Sequence, residues 1–309
     1  MQGKKAHRKP SINDGTTFDV VYGFDMETDV GSFTPYYEGV KHGTPELLKL
    51  LKKHGIQATF FWTGHAAENN PKTVRLVRDA GHETGCHGLQ HETLGDPIFP
   101  LPNNYPILPS EVEGRLREAT RIVKKISGVH PTSFRCPRLW GSTKVVNVLE
   151  SLGYLADATF PLYFFRKPFT PYHPSSKDWT KPGKMKIVEI PNFCDLSMKS
   201  NDPFQRDRDQ WPLFRTKGAD ALMEKAESFI AYVEARKQRP VLCFYMHPWE
   251  FHPMPQGALD FGESSVRPLP FIVKNCGPKA LKQLDRLCDL LKKRGGRFVT
   301  AKQLAAEQK

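Results

Sequence analysis

At 309 residues and 39% apolar content the chain can bury a sizeable core, and α/β barrels of this length commonly form one domain, so neither a fibrous nor a globally disordered protein is expected. Lys plus Arg outnumber Asp plus Glu by 45 to 33, a net charge of +12. The cations spread along helical stretches such as 49–53 and 292–297 without a stacking-aromatic or recognition-helix pattern, which argues against a nucleic-acid partner. No apolar run approaches the roughly 18–20 residues of a membrane span, so no membrane partner is expected. Residues 1–10 are polar and basic with no apolar signal core, and the six cysteines form no C-x-x-C pair. Both features point to a cytoplasmic protein with free thiols.

In chain order, residues 1–16 read as a flexible basic arm and 17–309 as a single catalytic domain. Residues 18–24 (FDVVYGF) form an apolar strand. Thr44-Pro45 opens a helix, with Thr44 as N-cap, that stops at Gly55. A second strand covers 56–62, a helix starts at Asn70-Pro71 and ends at Gly81, and a short strand covers 83–86. Ser110 and Glu113 have capping-box spacing and open a helix that ends at Gly128. Strand 132–136, helix 142–152, short strands 154–158 and 186–190, and helix 219–236 follow. Strand 241–246 (VLCFYM) is apolar enough for burial on both faces. Helix 278–293 and strand 297–300 end the pattern. The alternation, with no G-x-G-x-x-G fingerprint, predicts an α/β fold: a distorted, TIM-like (β/α) barrel of about seven strands. Two Pro- and aromatic-rich loops, 95–109 and 161–183, are long enough to be functional. The charge-dense segment 206–215 (RDRDQWPLFR) reads as a lid, a subunit contact or a solvated loop.

Barrel enzymes carry their chemistry at the C-terminal ends of the strands. The polar residues there are Asp25 and Glu27, His87 and His91, Arg135, Asp195 and His247. His87 and His91, four apart in HGLQH, can face one side of a turn, and one added carboxylate makes a His₂-carboxylate metal site with open positions. One of Asp25 and Glu27 can ligate, leaving the other as general base. Asp29 lies close enough in sequence to compete as the ligand. No organic cofactor site is evident. Trp140, Trp211 and Trp249 are candidates for a sugar-stacking wall, with core packing as the plainer reading.

These residues resemble the polysaccharide deacetylases of carbohydrate esterase family 4, the NodB-homology group, over most of residues 18–300. The first motif corresponds to Tyr22-Gly23-Phe24-Asp25-Met26-Glu27, closest to the cytoplasmic peptidoglycan deacetylase-like subgroup, with Glu27 where an Asp is usual. The second, H-[ST]-x-x-H, corresponds to His87-Gly88-Leu89-Gln90-His91. The third, R-x-P, corresponds to Arg135-Cys136-Pro137. The fifth, an apolar strand followed by His, corresponds to FYMHP and His247. The fourth is matched only loosely, by Asp195. The resemblance implies a hydrolase removing an N-acyl, typically N-acetyl, group from a sugar or polysaccharide. Asp25 would be general base, His247 general acid, Arg135 the residue orienting the base, and Asp195 the support of the histidine. One divalent ion, Zn²⁺ or a similar ion such as Co²⁺, would sit on Glu27, His87 and His91. The partner is then an N-acylated carbohydrate or small amide, and a homo-oligomer is expected. Two other readings use the same residues: a metal-independent, allantoinase-like hydrolase of cyclic amides or ureides, and a non-catalytic carbohydrate-binding relative.

Overall fold

The computed structural model describes residues 17–101 and 104–308; the expected basic arm, residues 1–16, lies outside them. Seven parallel strands form the centre: β1 (Phe18–Met26), β2 (Thr59–Trp62), β3 (Glu83–Cys86), β4 (Ser133–Phe134), β5 (Ala156–Asp157), β6 (Val188–Glu189) and β7 (Val241–Met246). Strands β1 to β6 pair in sequence order, and β7 pairs the other edge of β1 along Asp19–Phe24. Just past β6, Asn192 makes a parallel bridge to Cys243 of β7, which curls the sheet into a barrel. That seam is a single bridge and β4 to β6 are two residues each, so the expected (β/α) barrel is present in a distorted form. The last strand, Gly296–Phe298, pairs with the first residues of β1.

Strand alternation decides which side chains reach the interior. On β1, Val20, Tyr22, Phe24 and Met26 point outward into the core shared with the helices. Val21 points inward, where it meets Phe61, Ala156, Ala158, Val188, Ile190 and Cys243. The same parity puts Gly23, Asp25 and, just past the strand, Glu27 on the inner side. The short helix Ala301–Glu307 plugs the end where the strands begin, with Ala301, Leu304 and Ala305 in the inner cluster. Full burial of a leucine such as Leu304 stabilises by about 1.5–3 kcal/mol. The plug is fixed by local chemistry: Thr300 and Gln303 form a reciprocal capping box at its start.

The outer helices match the expected order, with Gly55 and Gly128 closing two of them at φ 61° and 74°. Two expected caps do not form. Thr44 is already helical, because the π-turn Gly39–Gly43 delivers the chain into helix Thr44–His54 without an extended residue to act as cap. Helix Val112–Ser127 starts from Glu111 without a side-chain cap, and Glu113 instead pairs with Arg117 at 2.7 Å. An i,i+4 ion pair on an open helix face competes directly with the reach back to the cap. The loop 161–183 packs as a flap along β6, with Tyr172 bonded to the Glu189 backbone and its hydroxyl donating to the Trp179 carbonyl at 2.8 Å.

Asp157 of β5 and Glu189 of β6 are register partners, and both are fully buried. Glu189 Oε1 accepts from Thr159 N and Phe160 N, and Asp157 Oδ1 accepts from the Thr159 hydroxyl. Oδ2 of Asp157 and Oε2 of Glu189 have no other partner. Two like charges cannot both persist there, so the pair retains a proton. Burial pushes Asp157 up to about 7 and Glu189 well above the carboxylate range. The folded state therefore holds a proton that the unfolded chain releases near pH 4. This contribution to stability is present at low pH and is lost as pH rises above about 4, through about 7 for Asp157 and beyond for Glu189. Asp157→Asn is expected to flatten that part of the pH–stability curve, checked by urea unfolding at pH 5 and pH 8. An equal pH dependence in the variant would refute the shared proton.

Candidate active site

The interior opens at the C-terminal ends of the strands, where Glu27, His87 and His91 meet. One ligand-type atom from each lies within 4.8 Å of the others, and all three residues are buried. His91 Nε2 is 2.5 Å and His87 Nε2 3.7 Å from Glu27 Oε2. His87 Nδ1–H donates to the Arg135 carbonyl at 2.8 Å, which leaves Nε2 with its lone pair aimed at the cluster. Burial pushes His91 down to about 4, so it is neutral at physiological pH. Burial opposes the charge on Glu27, but His91 first, then His87 and His247, hold its pKa well below the usual range.

Neither carboxylate oxygen of Glu27 has a hydrogen-bond partner, although both are shielded from solvent. The short approach to His91 thus lacks hydrogen-bond geometry. A buried ionised carboxylate with unfilled lone pairs is costly. Two imidazole nitrogens and a carboxylate oxygen turned toward one point fit a divalent first-row ion, with positions left for water and substrate. Asp29 is elsewhere: its two oxygens accept the backbone N–H groups of Glu38 and Gly39 at 2.9 Å each. Of these two carboxylates it is Glu27 that stands with the histidines.

Asp25 sits beside this cluster, 4% exposed, and accepts from Arg135 Nη1 at 2.8 Å. Arg135 is fully buried and crosses the barrel interior. Its Nε donates to the Ala158 carbonyl at 3.0 Å and Nη2 to the Phe244 carbonyl at 3.1 Å and Asn192 Oδ1 at 3.4 Å. Its guanidinium lies 4.5 Å from the Phe61 ring centroid. Gly23 makes room for it: a Cβ there would stand 2.3 Å from Nη1.

His247 follows β7 and faces Glu27, with Nε2 3.9 Å from Oε1. Its Nδ1–H donates to Glu250 Oε1 at 3.0 Å. Glu250 also accepts from the His247 backbone N–H at 2.9 Å, Trp211 Nε1 at 3.0 Å and Arg215 Nε at 2.5 Å. Arg215 in turn donates to the carbonyls of Phe271, Ile272 and Lys274. Burial opposes charge on the His247 ring, but the hydrogen bond to Glu250 and the carboxylates of Glu27, Glu250 and Asp25 outweigh it and raise its pKa. The Trp249 ring stacks on the imidazole at 5.1 Å.

Asp195, expected to support His247, does not reach it. Its Oδ1 instead caps a local turn by accepting from Ser197 N, Ser197 Oγ and Met198 N. A loop aspartate two residues before a serine is satisfied locally at little entropic cost. Glu250 occupies the supporting position. The 3₁₀ turn Pro248–Phe251 brings it back under the ring, and the spacing H-P-W-E was the available signal. Arg215 was hidden in segment 206–215. That segment is neither lid nor solvated loop but a buttress: Arg208, Gln210 and Arg215 are buried, and the Tyr245 hydroxyl bonds to Asp209. Trp140 and Trp249 are fully buried, so they form core and ring support rather than an open stacking wall.

The arrangement defines a class first: a parallel α/β barrel with a His₂-carboxylate cluster at its strand ends, flanked by an Arg-held aspartate and a carboxylate-held histidine. Comparison with known proteins then places the sequence. Residues 16–156 match the family model described as polysaccharide deacetylase. The peptidoglycan deacetylase of Helicobacter pylori is 30% identical over 167 residues, which are 48% of this chain and 52% of that protein. The chain thus matches about half the length of this curated relative. Among solved structures, Puue allantoinase aligns over 98% of this chain and 94% of its own at TM-score 0.62 and 16% identity. A Mycobacterium smegmatis protein assigned to the polysaccharide deacetylases aligns over 96% and 92% at TM-score 0.60 and 19% identity. These two likenesses establish the fold.

One Zn²⁺ or Co²⁺ is expected to bind per chain, measured by calorimetry on metal-stripped protein. His87→Ala or Glu27→Ala should weaken it by more than the roughly 10–100-fold typical of losing an outer-shell partner. Asp195→Ala should leave it unchanged. Equal affinity in wild type and His87→Ala would exclude this cluster as the site.

Proposed function

We propose that the whole chain is a polysaccharide deacetylase: a divalent-metal-dependent hydrolase that removes N-acetyl groups from an N-acetylated sugar polymer. The observation that carries this reading is the unsatisfied Glu27 carboxylate between His87 and His91, with Asp25 and His247 beside it. Residues 16–156 and the peptidoglycan deacetylase relative support the same reaction class. Glu27, His87 and His91 would hold the ion, which when bound supplies Lewis acidity toward the acyl carbonyl.

The remaining work falls to the chain's own groups. Arg135 holds Asp25 in place through its Nη1 hydrogen bond, and Asp25 accepts the proton of the attacking water. Pro137 has no N–H and Leu139 N donates to the Cys136 carbonyl, so the Arg138 N–H is the donor of the turn Pro137–Leu139 that we assign to the developing oxyanion. His247, whose pKa is raised by its hydrogen bond to Glu250 and by its carboxylate neighbours, donates to the departing nitrogen. Glu250 fixes the ring with Nε2 toward the site. Products are a free amine and acetate. A net charge of +12 suits an acidic glycan, so N-acetylated peptidoglycan fragments are the first substrates to assay. Six free cysteines, five of them buried, support a reducing compartment.

The test is acetate release from N-acetylated oligosaccharides by Zn²⁺- or Co²⁺-loaded protein, with allantoin as the competing substrate. Asp25→Asn should lower kcat by about 10²–10⁴-fold while metal content is unchanged. Turnover of allantoin by metal-stripped protein, with no acetate release by the loaded form, would replace this reading by the ureide one. Glu250→Ala should lower kcat more than it raises KM, since it acts on the acid rather than on substrate binding.

A further inference from the structure

The turn that supplies Arg135 also carries Arg138, and the two touch different histidines of the cluster. The Arg135 carbonyl accepts from His87 Nδ1 at 2.8 Å, and Arg138 Nη1 donates to the His91 carbonyl at 2.8 Å. The second contact joins two strained places. His91 has φ 63°, Arg138 φ 60° and Leu139 φ 59°, all left-handed without being glycine. Such residues persist only where their surroundings hold them, and they cluster at functional sites.

The His91 loop has no regular structure of its own to supply that hold. From the N–H side it is tied by Glu92, whose carboxylate accepts from Leu89 N at 3.2 Å and Gln90 N at 2.6 Å. On the carbonyl side, among the described residues, Arg138 is the side chain bonded to His91 O. Its guanidinium is half-buried and otherwise rests near the Trp140 ring, 5.9 Å from the centroid. No carboxylate of the described residues lies in ion-pair contact with it. Its fixed interaction is therefore with the backbone of a candidate metal ligand.

We infer that Arg138 is a positioning residue for the metal centre: its guanidinium clamps His91 in the left-handed conformation that turns Nε2 toward Glu27. With Arg135 on His87, the single turn R-C-P-R orients both ligand histidines. The inference rests on the metal-site reading above. It goes beyond the match of R-x-P, because Arg138 stands outside that motif.

The charge of Arg138 and its donor act in opposite directions. A cation near the site repels a bound metal ion, whereas the clamp pre-organises its ligand. Arg138→Met removes both, so loss of charge alone would tighten metal binding, and any weakening reports the clamp. The probes are Zn²⁺ by calorimetry and Co²⁺ by its visible absorption, on metal-stripped full-length protein, with thermal unfolding as a folding check. Arg138→Met is expected to weaken Zn²⁺ binding by about 10–100-fold and to alter the Co²⁺ spectrum. Arg138→Lys, which keeps charge and one donor, should stay within about threefold of wild type, on the scale of one retained hydrogen bond. Wild-type affinity or tighter in Arg138→Met would overturn the clamp while leaving the metal site standing. If Arg138→Met does not fold, the lysine variant decides, and a loss beyond about tenfold, against the retained-donor expectation, overturns the proposal. No Zn²⁺ or Co²⁺ bound by wild type would overturn the metal reading and the clamp with it.

Discussion

A guanidinium in the middle of a barrel is the constraint around which this structure is arranged. Burying an arginine is costly unless its donors and its charge are all answered. Arg135 is answered from every side: Asp25 of β1, the carbonyls of Ala158 and Phe244, Asn192 at the β6–β7 seam, and the face of Phe61 on β2. These partners come from strands that must close around it. The one bridge that joins β6 to β7 involves Asn192 itself. Closing the barrel and holding Asp25 are thus one structural event, and Gly23 is the residue that leaves room for it.

The buried carboxylates show how one fold keeps acids in different states a few strands apart. Asp25 has a guanidinium. Glu27 has histidines and unfilled lone pairs. Glu250 has an arginine, an indole N–H and His247. Asp157 and Glu189 have each other and a proton. Each environment follows from which neighbours the strand ends supply, and each assigns a different chemical use. On the proposed reading, the carboxylate with unfilled valence would take a metal ion, the Arg-held one would serve as base, and the Arg- and Trp-held one would orient an acid.

The histidine support illustrates how a contact can be supplied from a different place in the chain. The family pattern expects an aspartate from a separate loop, and Asp195 stands roughly there. Its turn satisfies it locally, while Glu250 reaches His247 through a single 3₁₀ turn and is backed by Arg215 from segment 206–215. A support three residues from the ring it holds needs less of the tertiary fold to be in place than one arriving from another loop.

The order of strands and helices and the C-terminal glycines were legible in the sequence, and so was the placing of Asp25, Glu27, His87, Arg135 and His247 just at the ends of apolar strands. Each is written in local terms: an apolar run, a helix stop, or ligand-type residues directly after a strand. The tertiary structure alone placed Glu27 rather than Asp29 with the two histidines, put Glu250 rather than Asp195 on His247, turned segment 206–215 into a buttress, and brought Asp157 and Glu189 together. Those outcomes depend on which groups meet across the closed barrel. Contacts such as Arg135 with Asp25 or Arg215 with Glu250 join residues far apart in sequence, so no local pattern encodes them. Likewise the caps expected at Thr44 and Ser110 were overruled by how the preceding chain arrives, which packing and not propensity determines.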